Sequence, residues 1–161
     1  MPDREKFVIE GGARLSGEMT PGGNKNEVLP CLAASLLTDQ PVTLQNVPRI
    51  KDVQVMLSIL EELGSTVEWI NDNTVRLHNR EITTTAPPGE LCARVRASIL
   101  FAGPLLGRAH RVVLPPPGGD VIGRRRLDTH FLGFQALGAK VENTEEGYFI
   151  DADKLVGTHI F

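Results

Sequence analysis

Two glycine pairs in the sequence are each followed by polar side chains of the types that hold or protonate an anion. The stretch PGGNKN contains Lys25 and Asn26, and the stretch PPPGGD ends in Asp120, which precedes the three consecutive arginines of GRRRLD. Arg96 lies between the two stretches, in RVRASI. Lysine offers an oxyanion a point charge, arginine can bind it through two parallel hydrogen bonds, and a protonated aspartic acid can donate a proton. These residue types favour an anion-binding site that carries its own proton donor.

The loop that leads to Asp120 combines residues that restrict the backbone with residues that leave it flexible. Prolines stiffen it at positions 115–117, and Gly118 and Gly119 add conformational freedom. We expect these glycines, and the pair at 22–23, to let the backbone approach a ligand closely. Because neighbouring arginines lower the pKa of a carboxylate, a proton-donating Asp120 would need burial or a nearby anionic substrate to keep it protonated. The alternative is a solvated loop with a cluster of charges.

The composition is that of a globular protein with room for one domain or two small repeats. The chain has 161 residues, of which 41% are hydrophobic and 23% charged, and its formal net charge is -3. This charge argues against sequence-independent nucleic-acid binding, which needs a basic surface. The longest apolar run, residues 28–37, is too short to cross a bilayer, and the first residues lack the pattern of a secretory signal. Cys31 and Cys92 form no CxxC motif, so we expect no metal, cofactor or disulfide and a reduced, cytoplasmic protein.

Hydrophobic spacing predicts helices that alternate with short strands. Apolar residues recur at helical intervals over residues 27–37 and 51–64, and Gly64 is the expected residue just beyond a helix C-terminus. The other segments predicted to be helical are residues 93–106 and 129–138. The predicted strands are residues 7–12, 13–20, 42–47, 65–70, 74–78, 111–115, 139–143 and 147–152.

This order of elements occurs twice. LGSTVE begins at Leu63 and LGAKVE at Leu137, while VTL ends at Leu44 and VVL at Leu114, so the two halves match at similar offsets. We interpret the chain as a duplicated α/β module.

The duplication divides the chain into units at about residues 24–85 and 88–153. The tail KLVGTHIF shares a Leu-x-Gly pattern with residues 13–20. It predicts the opening strand of a third unit over residues 154–161.

Four segments carry a family resemblance in order and spacing: PGGNKNEVLPCLAASLL, NVPRIKDV, RVRASILFAGPLL and PPPGGDVIGRRRLDTHFLGFQALGAKVE. They resemble the N-terminal part of the UDP-N-acetylglucosamine enolpyruvyl transferases, over little more than a third of a typical member. The resemblance implies an α/β (α+β) fold, an inside-out α/β barrel domain with two repeated units and the start of a third. It also implies transfer of enolpyruvyl from phosphoenolpyruvate to the 3-hydroxyl of UDP-N-acetylglucosamine, with release of phosphate, in the first committed step of peptidoglycan synthesis.

The same resemblance implies roles for individual residues. Lys25 matches a lysine that holds phosphoenolpyruvate, Asn26 a contact to the sugar nucleotide, and Arg96 an arginine of the substrate pocket. Asp120 stands where most members carry a cysteine that protonates the methylene carbon of phosphoenolpyruvate. Arg125 matches an arginine that meets the phosphates. The loop that binds the uridine nucleotide continues through Arg126, Leu127, Asp128 and Thr129. Because a carboxylate is a poorer nucleophile than a thiolate towards an epoxide, the resemblance also predicts resistance to fosfomycin.

The resemblance assigns residues 1–22 to a strand segment of a second domain and residues 23–161 to a partial enolpyruvyl transferase domain. A fragment of this extent lacks the family's aspartate that deprotonates the sugar hydroxyl, so we expect it to be inactive alone. Two alternatives stay open: a non-catalytic anion-binding or assembly module of the same fold, and a transferase acting on shikimate 3-phosphate. For the enolpyruvyl transferase fragment and for the assembly module alike, exposed strand edges predict self-association.

Overall fold

A computed structural model describes residues 6–119, 123 and 126–160 of the protein. The first half contains α1 (Lys25–Ala34), a 3-10 turn (Ser35–Leu37), β1 (Val42–Leu44), α2 (Lys51–Glu62), β2 (Thr66–Asn71) and β3 (Thr74–His78). The second half contains α3 (Gly89–Cys92), a 3-10 helix (Arg96–Phe101), α4 (Ala102–Ala109), β4 (Arg111–Leu114), α5 (Asp128–Ala136), β5 (Lys140–Thr144) and β6 (Gly147–Asp151).

The two halves share one topology. The first sheet has the strand order β1-β3-β2 and the second the order β4-β6-β5, with every neighbouring pair antiparallel. In the first half α2 joins β1 to β2, and in the second half α5 joins β4 to β5. The duplicated α/β module predicted from the sequence is therefore confirmed.

The helices α2 and α5 end in the same hydrogen-bonded turn. Gly64 follows α2 with a φ of 103°, and its N–H donates to the carbonyl of Glu61 at 3.0 Å. Gly138 follows α5 with a φ of 96°, and its N–H donates to the carbonyl of Gln135, also at 3.0 Å. Glycine takes this left-handed conformation without the steric cost of a Cβ. The repeated LGxxVE letters thus encode one helix-to-strand turn, used twice.

Both halves contribute to a single hydrophobic core. Within it, α1 packs against α2 and against the 3-10 helix at 96–101. The largest fully buried side chains are Phe101, Leu32, Leu36, Met56, Ile59, Leu60, Leu63, Leu77, Leu105, Leu106, Leu114 and Ile150. Because these side chains come from helices and strands of both halves, each unit covers the apolar face of the other.

Arg108 of α4 links the second half to the backbone of the first. Its half-buried guanidinium donates to the carbonyl oxygens of Leu36 at 3.0 Å, Thr38 at 3.2 Å and Asn79 at 2.8 Å. These carbonyls lie at the ends of the 3-10 turn and of β3, where the regular hydrogen bonds of the helix and the sheet stop. The guanidinium also donates to the carbonyl of Arg80 at 3.4 Å, so a single side chain satisfies four backbone acceptors of the neighbouring unit.

The strands predicted at both ends of the chain are not formed in the described residues. Residues 6–20 have no regular structure, and Phe7, Ile9 and Leu15 are 98%, 86% and 92% exposed. Residues 154–160 are also irregular, although the N–H of Val156 donates to the carbonyl of Leu137 at 2.9 Å. A strand needs a neighbour to complete its hydrogen bonds, and no described strand lies beside either segment.

Two predicted elements are shorter than expected. The helix predicted over residues 93–106 is a 3-10 helix followed by α4, because Pro104 fits only the first turn of an α-helix. The strand predicted over residues 42–47 ends at Leu44, and Asn46 then turns the chain with a φ of 57°.

Candidate active site

A cleft of about 430 Å³ opens beside the first turns of α1 and α2; we call it the Lys25 cleft. Its lining residues are Lys25, Asn26, Leu29, Asp52, Arg94, Val95, Arg96, Ala97, Ile99, Leu100, Gly119 and His130. Three residues predicted from the sequence, Lys25, Asn26 and Arg96, therefore meet around one cavity.

The first turn of α1 fixes the positions of Lys25 and Asn26. Asn24 is the N-cap residue, and its side-chain oxygen accepts a hydrogen bond from the backbone N–H of Asn26 at 2.7 Å. The carbonyl of Asn24 accepts from the N–H of Val28 at 3.0 Å. The cap therefore begins the helix at Lys25, where the positive end of the helix dipole favours a negative charge.

The ammonium of Lys25 is ion-paired with the carboxylate of Asp52 in the first turn of α2. The Lys25 side chain is 47% exposed and that of Asp52 is 29% exposed. A pair that water reaches to this extent contributes only about 0.2–1 kcal/mol. An anion entering the cleft would therefore have to displace only a weak competitor for Lys25.

Arg96 connects the Lys25 cleft with a second cleft. It begins the 3-10 helix, and its guanidinium donates to the backbone carbonyl of Arg126 at 3.2 Å. Arg96 lines both cavities. The two clefts are therefore adjacent and share Arg96 in their walls.

The second cleft, which we call the Arg126 cleft, has a volume of about 550 Å³ and mixed polar and apolar walls. Its lining residues are Arg96, Pro116, Pro117, Arg126, Leu127, Asp128, Phe131, Leu132, Gln135, Val141, Asn143 and Tyr148. The rings of Phe131 and Tyr148 pack with centroids 4.5 Å apart. This wall offers a planar group an apolar surface, and polar side chains border it.

Three of the four residues predicted for the nucleotide loop line the Arg126 cleft. The guanidinium of Arg126 is ion-paired with the carboxylate of Asp128, and Leu127 is buried beside them. Thr129 is exposed and lines neither cleft. The structure therefore places Arg126, Leu127 and Asp128 around the Arg126 cleft and leaves Thr129 outside both clefts.

Asp120 and Arg125 lie outside the described residues, but the backbone that leads to Asp120 is held firmly. The N–H of Gly118 donates to the carbonyl of Cys92 at 3.0 Å, and that of Gly119 to the carbonyl of Ala93 at 3.2 Å. Gly119 lines the Lys25 cleft. The described backbone therefore reaches the wall of the Lys25 cleft at Gly119, the residue that precedes Asp120.

One glycine of each pair is required by close packing of the backbone. A Cβ on Gly118 would lie 1.7 Å from the carbonyl oxygen of Ala93, and one on Gly23 would lie 1.8 Å from that of Asn46. Both glycines therefore allow the chain to pack against its own backbone rather than against a ligand. Gly22 has open space around it, and nothing in the structure explains its choice.

Sequence reasoning missed three polar residues of the Lys25 cleft: Asp52, Arg94 and His130. Asp52 was placed on a predicted helix but not related to Lys25, since the pairing depends on how α1 packs against α2. Arg94 stands two residues before Arg96, and this spacing was the available signal. His130 follows the predicted nucleotide loop directly.

The two cysteines differ in environment. Burial raises the pKa of the Cys92 thiol to about 11, and a hydrogen bond with Ser98 opposes part of that rise. Cys31 is exposed on α1, and both thiols are free. Cys92 therefore packs as an apolar side chain and is not a nucleophile near neutral pH.

The described part of the chain contains no cluster of three or more histidine, cysteine or acidic side chains that could hold a metal ion. Among its helices, none combines the length and apolar character needed to cross a membrane.

A sequence profile of the family described as EPSP synthase (3-phosphoshikimate 1-carboxyvinyltransferase) matches residues 9–161. The chain belongs to this family.

Within the EPSP synthase family, the chain is similar to proteins named UDP-N-acetylglucosamine 1-carboxyvinyltransferase. It is 53% identical over 156 residues to the protein of Bradyrhizobium diazoefficiens, covering 97% of this chain and 36% of that protein. Its identity is 50% to the protein of Treponema denticola, with 97% of this chain and 36% of that protein covered. Its identity is 54% to the protein of Treponema pallidum, with 96% and 36% covered. The resemblance seen in the sequence is confirmed, and the chain spans little more than a third of the length of these relatives.

Solved enolpyruvyl transferases have the same fold. The enolpyruvyl transferase NikO from Streptomyces tendae superposes with a TM-score of 0.73 at 22% identity, covering 91% of this chain and 32% of that one. EPSP synthase from Acinetobacter baumannii superposes with a TM-score of 0.62 at 14% identity, covering 87% and 33%. These superpositions confirm the fold class predicted from the sequence of this chain.

Proposed function

We propose that the chain is part of a UDP-N-acetylglucosamine 1-carboxyvinyltransferase, which transfers enolpyruvyl from phosphoenolpyruvate to the 3-hydroxyl of UDP-N-acetylglucosamine and releases phosphate. One observation carries this proposal: Lys25, Asn26 and Arg96 meet in the Lys25 cleft, and Arg96 joins that cleft to the Arg126 cleft. Two adjacent clefts, one lined by cations and the other by an aromatic wall, suit a small anion beside a nucleotide sugar.

In this proposal the Lys25 cleft holds phosphoenolpyruvate. Lys25 neutralises the phosphate as a point charge at a helix N-terminus, and Arg96 binds an oxyanion with its planar guanidinium. Asn26, next to Lys25, contacts the sugar of the acceptor. The phosphate is a better leaving group when its charge is neutralised, so the same contacts serve binding and departure.

Asp120 is the proposed proton donor. During transfer the 3-hydroxyl of the sugar gives its proton to a base outside this chain, and its oxygen bonds to C2 of phosphoenolpyruvate while C3 takes up a proton from Asp120. Phosphate then leaves C2, and loss of a proton from C3 restores the double bond. The position of Gly119, the residue before Asp120, in the wall of the Lys25 cleft supports this assignment.

The Arg126 cleft is the proposed site of the uridine nucleotide. The aromatic pair of Phe131 and Tyr148 provides an apolar wall for a planar base, and the pair of Arg126 and Asp128 provides polar contacts. Leu127 and Thr129 complete the proposed loop. Thr129 lies outside both clefts, so it contacts the ligand only where the ligand extends beyond them. Arg125 is assigned to the phosphates.

The remainder of the active site belongs to parts of the relatives that this chain does not span. We assign residues 1–22 to a segment that pairs with a second domain, and residues 23–161 to the partial first domain. The exposed apolar side chains of Phe7, Ile9 and Leu15 support the first assignment, since a paired strand would cover them. We expect the chain alone to bind substrates without turnover.

The proposed reaction places the protein in the cytoplasm, where it would serve peptidoglycan synthesis and through it cell-wall biogenesis, cell shape and cell division. An enzyme with aspartate at position 120 would resist fosfomycin, because a carboxylate attacks an epoxide far more slowly than a thiolate does. Incubation of a full-length enzyme with the antibiotic, followed by mass analysis, tests this. Rapid covalent modification at Asp120 would show the expectation to be wrong.

Calorimetric titration of the chain with UDP-N-acetylglucosamine tests the proposed function. Binding is expected for the parent chain and for Arg111→Gln, an exposed position outside both clefts, and is expected to weaken at least about tenfold in Arg96→Gln. Equal affinity of the parent and Arg96→Gln would contradict the proposed site.

The description of the family favours a second candidate, transfer to shikimate 3-phosphate. The relatives at 50–54% identity carry the UDP-N-acetylglucosamine name and argue against it. Parallel titration with shikimate 3-phosphate decides between the two acceptors, and preferential binding of the shikimate compound would reverse our choice.

The exposed apolar segment at residues 6–20 favours a third candidate, an assembly module that self-associates. Analytical ultracentrifugation tests this by giving the mass in solution. We expect dimers or larger species that persist without substrate, and a folded monomer would remove the argument for assembly.

A further inference from the structure

We propose that Arg94 is a third anion-binding cation of the Lys25 cleft and contacts phosphoenolpyruvate directly. This inference rests on the proposed function and adds a specificity residue to it. Arg94 lines the cleft together with Lys25 and Arg96. The three cations come from separate elements: the first turn of α1, the turn after α3, and the start of the 3-10 helix.

The backbone that carries Arg94 is fixed. Its N–H donates to the carbonyl of Leu91 at 3.0 Å, and the N–H of Val95 donates to the carbonyl of Cys92 at 3.4 Å. Cys92 and Val95 are buried at 0% and 3% exposure, while Arg94 between them is exposed. A side chain on a backbone anchored at both sides reaches a restricted volume, and that volume borders the cleft.

The charges of the cleft leave Arg94 available. Lys25 is paired with Asp52, and Arg96 donates to the carbonyl of Arg126. The guanidinium of Arg94 has no hydrogen bond or ion pair with any residue that the structure describes. With Lys25, Arg94 and Arg96 against the carboxylate of Asp52, the described lining of the cleft is net positive.

Phosphoenolpyruvate carries a phosphate and a carboxylate on one small carbon skeleton. Lys25 and Arg96 each already interact with a protein oxygen, so part of their binding capacity is used before the ligand arrives. A guanidinium can bind either oxyanion through two parallel hydrogen bonds. Arg94 therefore supplies a further cation for a ligand with two anionic groups. It adds less affinity for a ligand with only one.

The test is calorimetric titration of the chain with phosphoenolpyruvate, in the presence and absence of UDP-N-acetylglucosamine. Arg94→Gln is expected to weaken phosphoenolpyruvate binding about tenfold, because a hydrogen bond to a charged group is lost. Arg94→Lys keeps the charge and should lose less affinity. Arg111→Gln removes an exposed charge outside both clefts and should leave affinity within about twofold of the parent chain. Arg94→Gln should leave the affinity for UDP-N-acetylglucosamine unchanged.

Thermal unfolding of each variant checks that the fold is retained, as expected for an exposed side chain. If the parent chain binds phosphoenolpyruvate and Arg94→Gln binds it equally well, Arg94 is only a solvated surface residue. The inference about Arg94 then fails, while the proposed function stands. An equal loss in Arg94→Gln and Arg111→Gln would also overturn it, because the effect would then be general charge. A parent chain that binds UDP-N-acetylglucosamine but no phosphoenolpyruvate overturns the inference, and one that binds neither overturns the proposed function with it.

Discussion

The carboxylate of Asp52 is ion-paired with the ammonium of Lys25 across the first turns of two helices, α1 and α2. Each helix begins with free N–H groups directed towards negative charge, so the pair lies in a region that favours anions. Asp52 already supplies one. The protein thus contains an internal competitor for any anion that binds at Lys25.

Replacing Asp52 with asparagine should tighten the binding of inorganic phosphate to the chain. The amide keeps the shape of the side chain and removes the negative charge that competes for Lys25. Because a partly exposed pair contributes about 0.2–1 kcal/mol, we expect the affinity to rise about two- to fivefold. Calorimetric titration at low ionic strength measures this.

Glu62→Gln is the matched control for Asp52→Asn, since Glu62 is exposed at the opposite end of α2. It removes the same charge far from the N-terminus and should leave phosphate affinity unchanged. A weaker affinity in Asp52→Asn would mean that Asp52 orients Lys25 for the ligand instead of competing with it.

Replacing Gly118 with alanine should destabilise the protein and displace the loop that leads to Asp120. The new Cβ would lie 1.7 Å from the carbonyl oxygen of Ala93, so one of the two segments must move. Overpacking of this kind costs about 1–3 kcal/mol. Urea unfolding gives the loss in free energy of unfolding.

Gly133→Ala is the matched control for Gly118→Ala, because Gly133 lies in α5 and an added Cβ there has nothing within 4 Å. Alanine favours the helix by up to about 1 kcal/mol over glycine, so this variant should be more stable than the parent chain. Similar stability changes in both variants would contradict the close approach of Gly118 to Ala93.

The sequence predicted those features that depend on local pattern. The repeated LGxxVE letters specified the turns at Gly64 and Gly138, because a glycine after an amphipathic helix is a local signal. The pairing of Lys25 with Asp52 could not be predicted, since it depends on the packing of α1 against α2. Among the candidate site residues, Lys25, Asn26 and Arg96 were identified by type and by family resemblance, whereas the resemblance assigned no role to Arg94.

The strands predicted at residues 7–20 show that a local sequence pattern is not sufficient to form a strand. Their alternating apolar residues are a valid strand pattern, but a strand also needs a partner, and pattern alone does not supply one.

Replacing Arg108 with methionine should loosen the contact between the two units. Methionine retains an apolar stem but leaves the carbonyls of Leu36, Thr38 and Asn79 without their donor. We expect a loss of about 2–4 kcal/mol in the free energy of unfolding, measured by urea denaturation. Arg111→Met, at an exposed position of β4, should change it by less than about 0.5 kcal/mol. Equal effects at both positions would mean that the three hydrogen bonds contribute nothing.

The buried thiol of Cys92 should make the stability of the protein fall at high pH. Its pKa is raised from 9.0 to about 11 in the folded chain, mainly by burial, with the hydrogen bond of Ser98 acting in the opposite direction. The folded state therefore holds this proton more tightly than the unfolded state does. The resulting stability is fully present below about pH 9 and is lost as the pH rises towards about 11.

Urea unfolding of the parent chain and of Cys92→Ala at pH values on both sides of that window measures the contribution of the thiol. The parent chain should lose about 1–2 kcal/mol more than the variant between the two conditions, because only the parent has the titrating group. A thiol reagent at about pH 8 provides an independent check: it should modify the exposed Cys31 in the native chain and reach Cys92 only after unfolding. Rapid modification of both cysteines in the native chain, together with parallel pH profiles, would show that Cys92 is not shielded from solvent.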